Sequence, residues 1–137
     1  MTLRINQEII EAMVAHARRE SPIEVCGYLA GRDGVVCKHF AMTNTDQEAE
    51  HFAMDPKEQF TVVRTARELG LRVCAVYHSH PVTPARPSAE DIRLAFDPTT
   101  SYVIVSLAND EAMVKSFRIQ KGDVQPEPIE IVPGDLS

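Results

Sequence analysis

The run Val73-Cys74-Ala75-Val76-Tyr77 is apolar at both parities, and it ends in His78-Ser79-His80-Pro81. Side chains alternate across a strand, so a run that is apolar on both parities must be covered on both faces. This predicts a central strand over 73–80 in a sheet packed on each side. It also places His78 and His80 on one face, because residues i and i+2 of a strand project the same way. Asp91 follows after a proline-rich stretch, Pro81-Val82-Thr83-Pro84-Ala85-Arg86-Pro87, and Ser88.

Two imidazoles and one carboxylate suit zinc and leave a fourth coordination position for water, the arrangement of open, catalytic zinc sites. A lone strand histidine is usually an ordinary residue. Two on one face beside a stiff loop and a carboxylate favour ligation by His78, His80 and Asp91. Cys74 shares the parity of His78, but four strand residues set it ~13 Å away at ~3.3 Å per residue, so it reads as a small buried hydrophobe. Asp91 admits a second reading, since Ser88-Ala89-Glu90-Asp91 resembles a capping box with an acid at N3. The two readings are compatible in part: a capped helix start would hold Asp91 towards the histidines.

Hydrolysis would also need a base to take a proton from the attacking water and return it to the leaving amine. Glu24 is the best candidate, because it stands at the mouth of the apolar run Val25-Cys26-Gly27, where packing does not call for a carboxylate. Its alternative is a solvated acid at a strand start. The Ser88 hydroxyl, besides capping, could donate to the oxygen that becomes negative in a tetrahedral intermediate.

Around this site the chain reads as helices mixed with strands. Ile9, Ile10, Met13, Val14 and Ala17 recur at helical spacing behind Asn6 as N-cap, predicting a helix over 7–20 that stops at Ser21-Pro22. Strands are predicted over 25–30 and 35–43, joined by a tight turn at Arg32-Asp33-Gly34, with a polar loop over 44–55. Asp55-Pro56 opens a second helix that stops at Gly70. Ser88 caps a third, over 89–96, and strands over 102–107, 113–120 and 124–132 complete an α/β or α+β sheet. A length of 137 residues predicts a single domain over 1–137. The formal charge of −6 argues against a general nucleic-acid binder. No apolar run approaches the roughly 20 residues needed to cross a membrane, and the first residues lack the apolar core of a signal peptide. Cys26, Cys37 and Cys74 form no CxxC pair, which points to a reducing cytoplasm. His16, His39 and His51 fall outside the motif and read as ordinary residues.

Taken together, Glu24, His78-Ser79-His80, seven intervening residues, Ser88, two more and Asp91 resemble the signature of the JAMM (MPN+) metalloprotease family. Glu24-Val25-Cys26-Gly27-Tyr28-Leu29-Ala30-Gly31 is similar to the family's Glu-x-Cys-Gly-x-Leu-x-Gly strand. Thr43-Asn44, Phe52-Ala53-Met54-Asp55-Pro56 and Tyr102-Val103-Ile104-Val105-Ser106 resemble the small bacterial members. The resemblance implies a single MPN/JAMM domain, with a mixed β-sheet flanked by helices in a cytidine-deaminase-like arrangement. It implies Zn²⁺ on His78, His80 and Asp91, Glu24 as general base and acid, and Ser88 stabilising the oxyanion. Such enzymes hydrolyse peptide or isopeptide bonds after the C-terminal Gly-Gly of ubiquitin-like proteins. The shortness of the chain resembles the bacterial enzymes that process ubiquitin-like sulfur carriers, including those that release cysteine from a carrier adduct.

Three rivals stand beside this reading. A noncatalytic MPN interaction scaffold would be expected to have lost some of Glu24, His78, His80, Ser88 and Asp91. A zinc nucleobase deaminase would carry H-x-E and P-C-x-x-C, which are missing. A DNA-repair-associated bacterial branch with a similar metal motif is disfavoured by the net acidity and by the lack of an accompanying DNA-binding segment.

Overall fold

The computed structural model describes residues 2–133; the ends of the expected 1–137 domain lie outside the described residues. Their sheet has eight strands in the order β7-β6-β5-β4-β2-β3-β1-β8. The strands are β1 (Leu3–Asn6), β2 (Cys26–Arg32), β3 (Val35–Met42), β4 (Arg72–His80), β5 (Ser101–Ser106), β6 (Met113–Gln120), β7 (Asp123–Glu127) and β8 (Ile129–Val132). Helices α1 (Gln7–Glu20), α2 (Pro56–Glu68) and α3 (Ala89–Leu94) flank it. Pairing is parallel for β1–β3, β1–β8 and β4–β5 and antiparallel elsewhere, so the sheet is mixed, as expected.

β4 lies inside the sheet, between β2 and β5. Its odd residues Ala75 and Tyr77 enter one core with Ile9, Met13 and Ala17 of α1 and Val103 and Val105 of β5. The opposite face of β5 places Ile104 in a second, smaller core with Ala85, Phe117 and Ile119, against which Ile92 of α3 packs. His78 and His80 stand on this second face, at the end of β4. Gly27 pairs with Tyr77 across the β2–β4 ladder. A Cβ at Gly27 would collide with the Tyr77 ring and the Phe40 carbonyl, so the glycine makes room for the aromatic ring.

Local chemistry explains most boundaries. Asp33 and Gly34 both adopt positive φ, 56° and 79°, as the two-residue turn of a twisted hairpin requires. The Asp55 side chain accepts from the Lys57 amide at 3.0 Å with Pro56 opening α2, and Gly70 takes φ 74° just past its end.

The structure corrects three expectations and excludes one of the two readings of Glu24. Asn6 precedes α1 but its side chain caps nothing; it is the last residue of a short strand, β1, in a stretch for which no element was predicted. The expected helix over 89–96 ends at Leu94, because Ala95 turns to extended backbone (φ −78°, ψ 107°). The expected strand 124–132 is two strands split at Pro128, which has no N–H to continue a ladder. Since β7 and β8 lie at opposite edges of the sheet yet only Pro128 separates them, the sheet curls until its edges meet there; the Pro128 carbonyl accepts from the Leu3 amide at 2.8 Å. Lastly, Glu24 is no solvated strand-start acid: it is 2% exposed.

Candidate metal centre

His78 Nε2 and His80 Nε2 lie 3.2 Å apart, and each is 3.1 Å from the same Asp91 oxygen, Oδ2. This near-equilateral triangle is the test of whether a metal fits. Four ligands around a tetrahedral zinc at ~2.0 Å are separated from one another by about 3.3 Å, close to all three spacings. Both histidines are buried and Asp91 is half-buried.

Each vertex is held by its own local structure. β4 carries both imidazoles on one face. The His80 Nδ1–H donates to the Pro84 carbonyl at 2.9 Å, which fixes the ring and leaves Nε2 as the free ligand atom. The proline-rich loop thus orients a ligand as well as spanning a gap. At Asp91 the two sequence readings converge on one atom. The Ser88 amide donates to Asp91 Oδ2 at 2.9 Å and the Asp91 amide donates to Ser88 Oγ at 3.0 Å, a complete capping box. The cap therefore aims the very oxygen that faces the histidines.

The charges follow from these contacts. Burial works to raise the Asp91 carboxyl, but hydrogen bonds from His78 and His80 outweigh it and hold the group well below the ordinary carboxylate range. Burial works to lower His80, yet its bonds to Asp91 and the Pro84 carbonyl raise it. Glu24 is the reverse case. Continuing the β2–β4 register beyond Cys26↔His78 puts Glu24 opposite His80 on the same face, and its Oε1 is 3.9 Å from His78 Nε2. Burial and the neighbouring Asp91 charge push its carboxyl up to about 8.

The five residues singled out in the sequence thus fall in one place, with differing contacts. His78, His80 and Asp91 form the triangle, Glu24 stands beside it, and Ser88 reaches it through Asp91. The Ser88 side chain is exposed at the rim. Two neighbours lacked an assigned role. Phe52 stacks on the His78 ring, 4.9 Å between centroids and 27° between planes. Asn44 is buried beneath the 44–54 loop and bonds to the Glu24 carbonyl at 2.9 Å. The available signal was the resemblance of Thr43-Asn44 and Phe52-Ala53-Met54-Asp55-Pro56 to the small bacterial members, which does not by itself reveal a fold-back onto the histidines.

A cavity of about 70 Å³ adjoins His78 and Asp91, walled by Phe52, Val76, Pro87, Leu94, Tyr102 and Ile104. A larger groove of about 490 Å³ between α2 and the segment after α3 shares Phe52, Val76, Leu94 and Tyr102 with it and adds Tyr28, Met54, Val63 and Phe96. Phe96 is 91% exposed at its lip. Among the described residues no helix is long and apolar enough to cross a membrane.

Comparison with known proteins gives concordant results. Residues 6–120 match the family described as prokaryotic homologs of the JAB domain. A CysO-cysteine peptidase of Mycobacterium tuberculosis is 38% identical over 133 residues, 95% of this chain and 91% of the relative. A desampylase of Pyrococcus furiosus is 33% identical over 91 residues, 66% of this chain and 64% of the relative. A Desulfitobacterium hafniense protein solved in solution superposes with a TM-score of 0.87 at 47% identity, over 95% of this chain and 92% of that one.

Proposed function

The chain belongs to the family of prokaryotic homologs of the JAB domain and is a JAMM-type hydrolase, and from that premise we propose that it is a zinc metallopeptidase cutting a peptide or isopeptide bond after the C-terminal Gly-Gly of a ubiquitin-like sulfur-carrier protein. The carrying observation is the triangle of His78, His80 and Asp91 with a buried Glu24 beside it. We read residues 1–137 as one such domain, working in the cytoplasm.

In this reading His78 Nε2, His80 Nε2 and Asp91 Oδ2 hold the ion. Zinc bound there would supply Lewis-acid polarisation of the scissile carbonyl and acidify a water. The remaining work falls to side chains of this chain. Asp91 stays anionic at any working pH, so the ligand set carries one negative charge. Glu24 takes a proton at its carboxylate and returns it to the leaving amine; a carboxyl raised to about 8 by burial is within range of neutral pH for both transfers. Ser88 uses its oxygen as an acceptor for the Asp91 amide, which leaves the hydroxyl proton free to donate to the developing oxyanion.

The substrate class is supported by two relatives, one named CysO-cysteine peptidase and the other desampylase. It is supported also by the apolar groove that runs from Phe96 to the cavity beside His78, which suits an extended carrier tail. The test is direct. Purified protein should hold about one zinc per chain and should cleave a ubiquitin-like carrier extended beyond its Gly-Gly by a reporter. Chelation should stop the reaction and zinc should restore it. A protein that binds no zinc, or that cleaves equally well in chelator, would sink the proposal.

A further inference from the structure

We propose that Asn44 is a positioning residue: one buried amide fixes the backbone of Glu24 and brackets Phe52 against His78. This inference rests on the assignment of Glu24 as the proton carrier.

Asn44 is 7% exposed and follows β3, at the start of a loop without regular structure. A primary amide offers two N–H donors and two acceptor lone pairs, and Asn44 uses all four. Its Nδ2 donates to the Glu24 carbonyl at 2.9 Å and to the His51 carbonyl at 3.0 Å. Its Oδ1 accepts from the Asp46 amide at 3.0 Å and the Ala53 amide at 3.2 Å. The bonds to residues 51 and 53 grip the chain on both sides of Phe52, whose ring stacks on His78. The bond to Glu24 reaches a different segment, 20 residues earlier.

The Glu24 contact matters because that carboxylate has little else to hold it. Its side chain makes no hydrogen bond among the described residues, and its nearest charged neighbour is His78 Nε2 at 3.9 Å. Position must therefore come from the backbone. Glu24 lies one residue beyond Val25, the last point where β4 grips this segment, through Ser79. Beyond that point the loop takes over: the Glu24 amide donates to the Glu48 carbonyl at 2.8 Å, and the Glu24 carbonyl accepts from Asn44. Among the described residues Asn44 supplies the side chain of this clamp, so its substitution can move the base while leaving all three metal ligands in the chain.

A bland role exists as well. The Oδ1 bond to the Asp46 amide is an Asx turn, and such turns stabilise loops with no bearing on chemistry. The two halves of the amide separate these roles. Asn44→Asp keeps the acceptor that makes the turn and replaces the donor that holds Glu24 and His51. Asn44→Ala removes both.

The experiment uses the zinc-loaded protein with the Gly-Gly carrier–reporter fusion as substrate, and adds two readouts independent of turnover: zinc per chain, and the NMR shift of the His78 ring protons under the Phe52 stack. Asn44→Asp and Asn44→Ala should each lower kcat by about 10–100-fold, the scale of an ångström-sized misplacement, with KM within about threefold. Zinc should stay near one per chain, and the His78 ring signals should shift as Phe52 loosens. Glu24→Ala, run in parallel, should abolish turnover. If Glu24→Ala abolishes turnover while Asn44→Asp keeps its kcat, the positioning role is overturned and the assignment of Glu24 stands. If Glu24→Ala turns over normally, the assignment falls and the positioning role falls with it. If both Asn44 variants fail to fold, or only their melting temperature drops, Asn44 is a structural residue and the inference is wrong.

Discussion

Glu24 and Glu127 are buried almost equally, at 2% and 5% exposure, one just before the inner strand β2 and the other on the edge strand β7. Glu127 sits just before Pro128, where the chain leaves one sheet edge for the other. Its Oε1 accepts from the Ser101 and Ser116 hydroxyls, both at 2.7 Å, and its Oε2 from Arg118 Nε at 3.0 Å. Burial alone would raise its carboxyl, but these donors keep it below the ordinary range. Glu24 has the burial without the donors, and its carboxyl rises to about 8. A buried carboxylate that is fully bonded serves the fold, whereas one kept short of partners is available for proton transfer. The same residue type at the same depth is thus sorted by its hydrogen bonds.

Exchange of effects between the two positions is the sharpest way to break this contrast, and the largest expected effect is at Glu24. Glu24→Ala should cut cleavage by roughly 10²–10⁴-fold, the usual weight of general acid–base catalysis, while keeping zinc and leaving the melting temperature unchanged or raised. Loss of zinc in the variant would make Glu24 a ligand; undiminished turnover would remove it from the chemistry. Glu127→Ala should do the opposite. It strands two buried hydroxyls and a partly buried guanidinium, at a cost of about 2–4 kcal/mol in stability, with turnover of the folded fraction unchanged. Denaturant unfolding checks the first half and active-site-normalised kinetics the second. Equal stability losses at the two positions would erase the distinction.

The sequence made one of these glutamates visible and hid the other, for a physical reason. His78, His80, Ser88 and Asp91 stood out because strand parity and a helix cap are local rules, whereas Glu24 was singled out as a carboxylate at the mouth of an apolar run and by the family resemblance. Helix α1 was legible to its ends, since Ile9, Met13 and Ala17 repeat at one-turn spacing. Burial of Glu24 was not legible, because it depends on Asn44 and Phe52 folding a loop back over the strand. Glu127 carried no signal at all: its partners come from β5 and β6, and the edge switch at Pro128 that brings them together was read as one continuous strand. β1 went unpredicted, because four residues ahead of a strongly periodic helix are too few to show an alternation of their own. His16 and His39, dismissed as ordinary, are indeed outside the site, but they share one buried partner.

Acid titration gives a smaller, graded test of the same contrast. Glu127 has a depressed carboxyl in the folded state, so its contribution is complete above its unfolded value near 4.5 and is lost as the pH falls through the folded value. His39 is lowered to about 4, chiefly by burial and then by the His16 and Lys38 charges, and His16 is lowered chiefly by burial. The unfolded chain takes up these protons near 6.5 and the folded one resists, which lowers stability between pH 6.5 and 4; Glu24, raised to about 8 in the fold, works the opposite way over that window, so the decline should emerge once Glu24 is replaced. Thermal melts of the Glu24→Ala variant should show both windows. Adding Glu127→Ala should shrink the lower one, which Asp91 and Asp97 share, and keep the upper; an undiminished lower window would show that Glu127 contributes none of it.

The smallest effect should come from Tyr77→Phe. The Tyr77 hydroxyl lies 2.7 Å from His16 Nδ1 and 2.6 Å from His39 Nε2, in the core on the α1 side of β4. One imidazole donates to the oxygen and the other accepts its proton, which satisfies two buried ring nitrogens with one hydroxyl. Removing it should cost about 1–2 kcal/mol, the net value of one or two neutral hydrogen bonds whose partners stay buried. Adjacent His78 projects from the opposite face, so zinc content and turnover should be unchanged. That separation is what the contrast between the two glutamates requires, with bonded polar groups holding the fold and under-bonded ones left to the chemistry. A fall in kcat for Tyr77→Phe at full zinc occupancy would mean that the two faces of β4 are coupled, and the division between structural and catalytic polar groups would have to be redrawn.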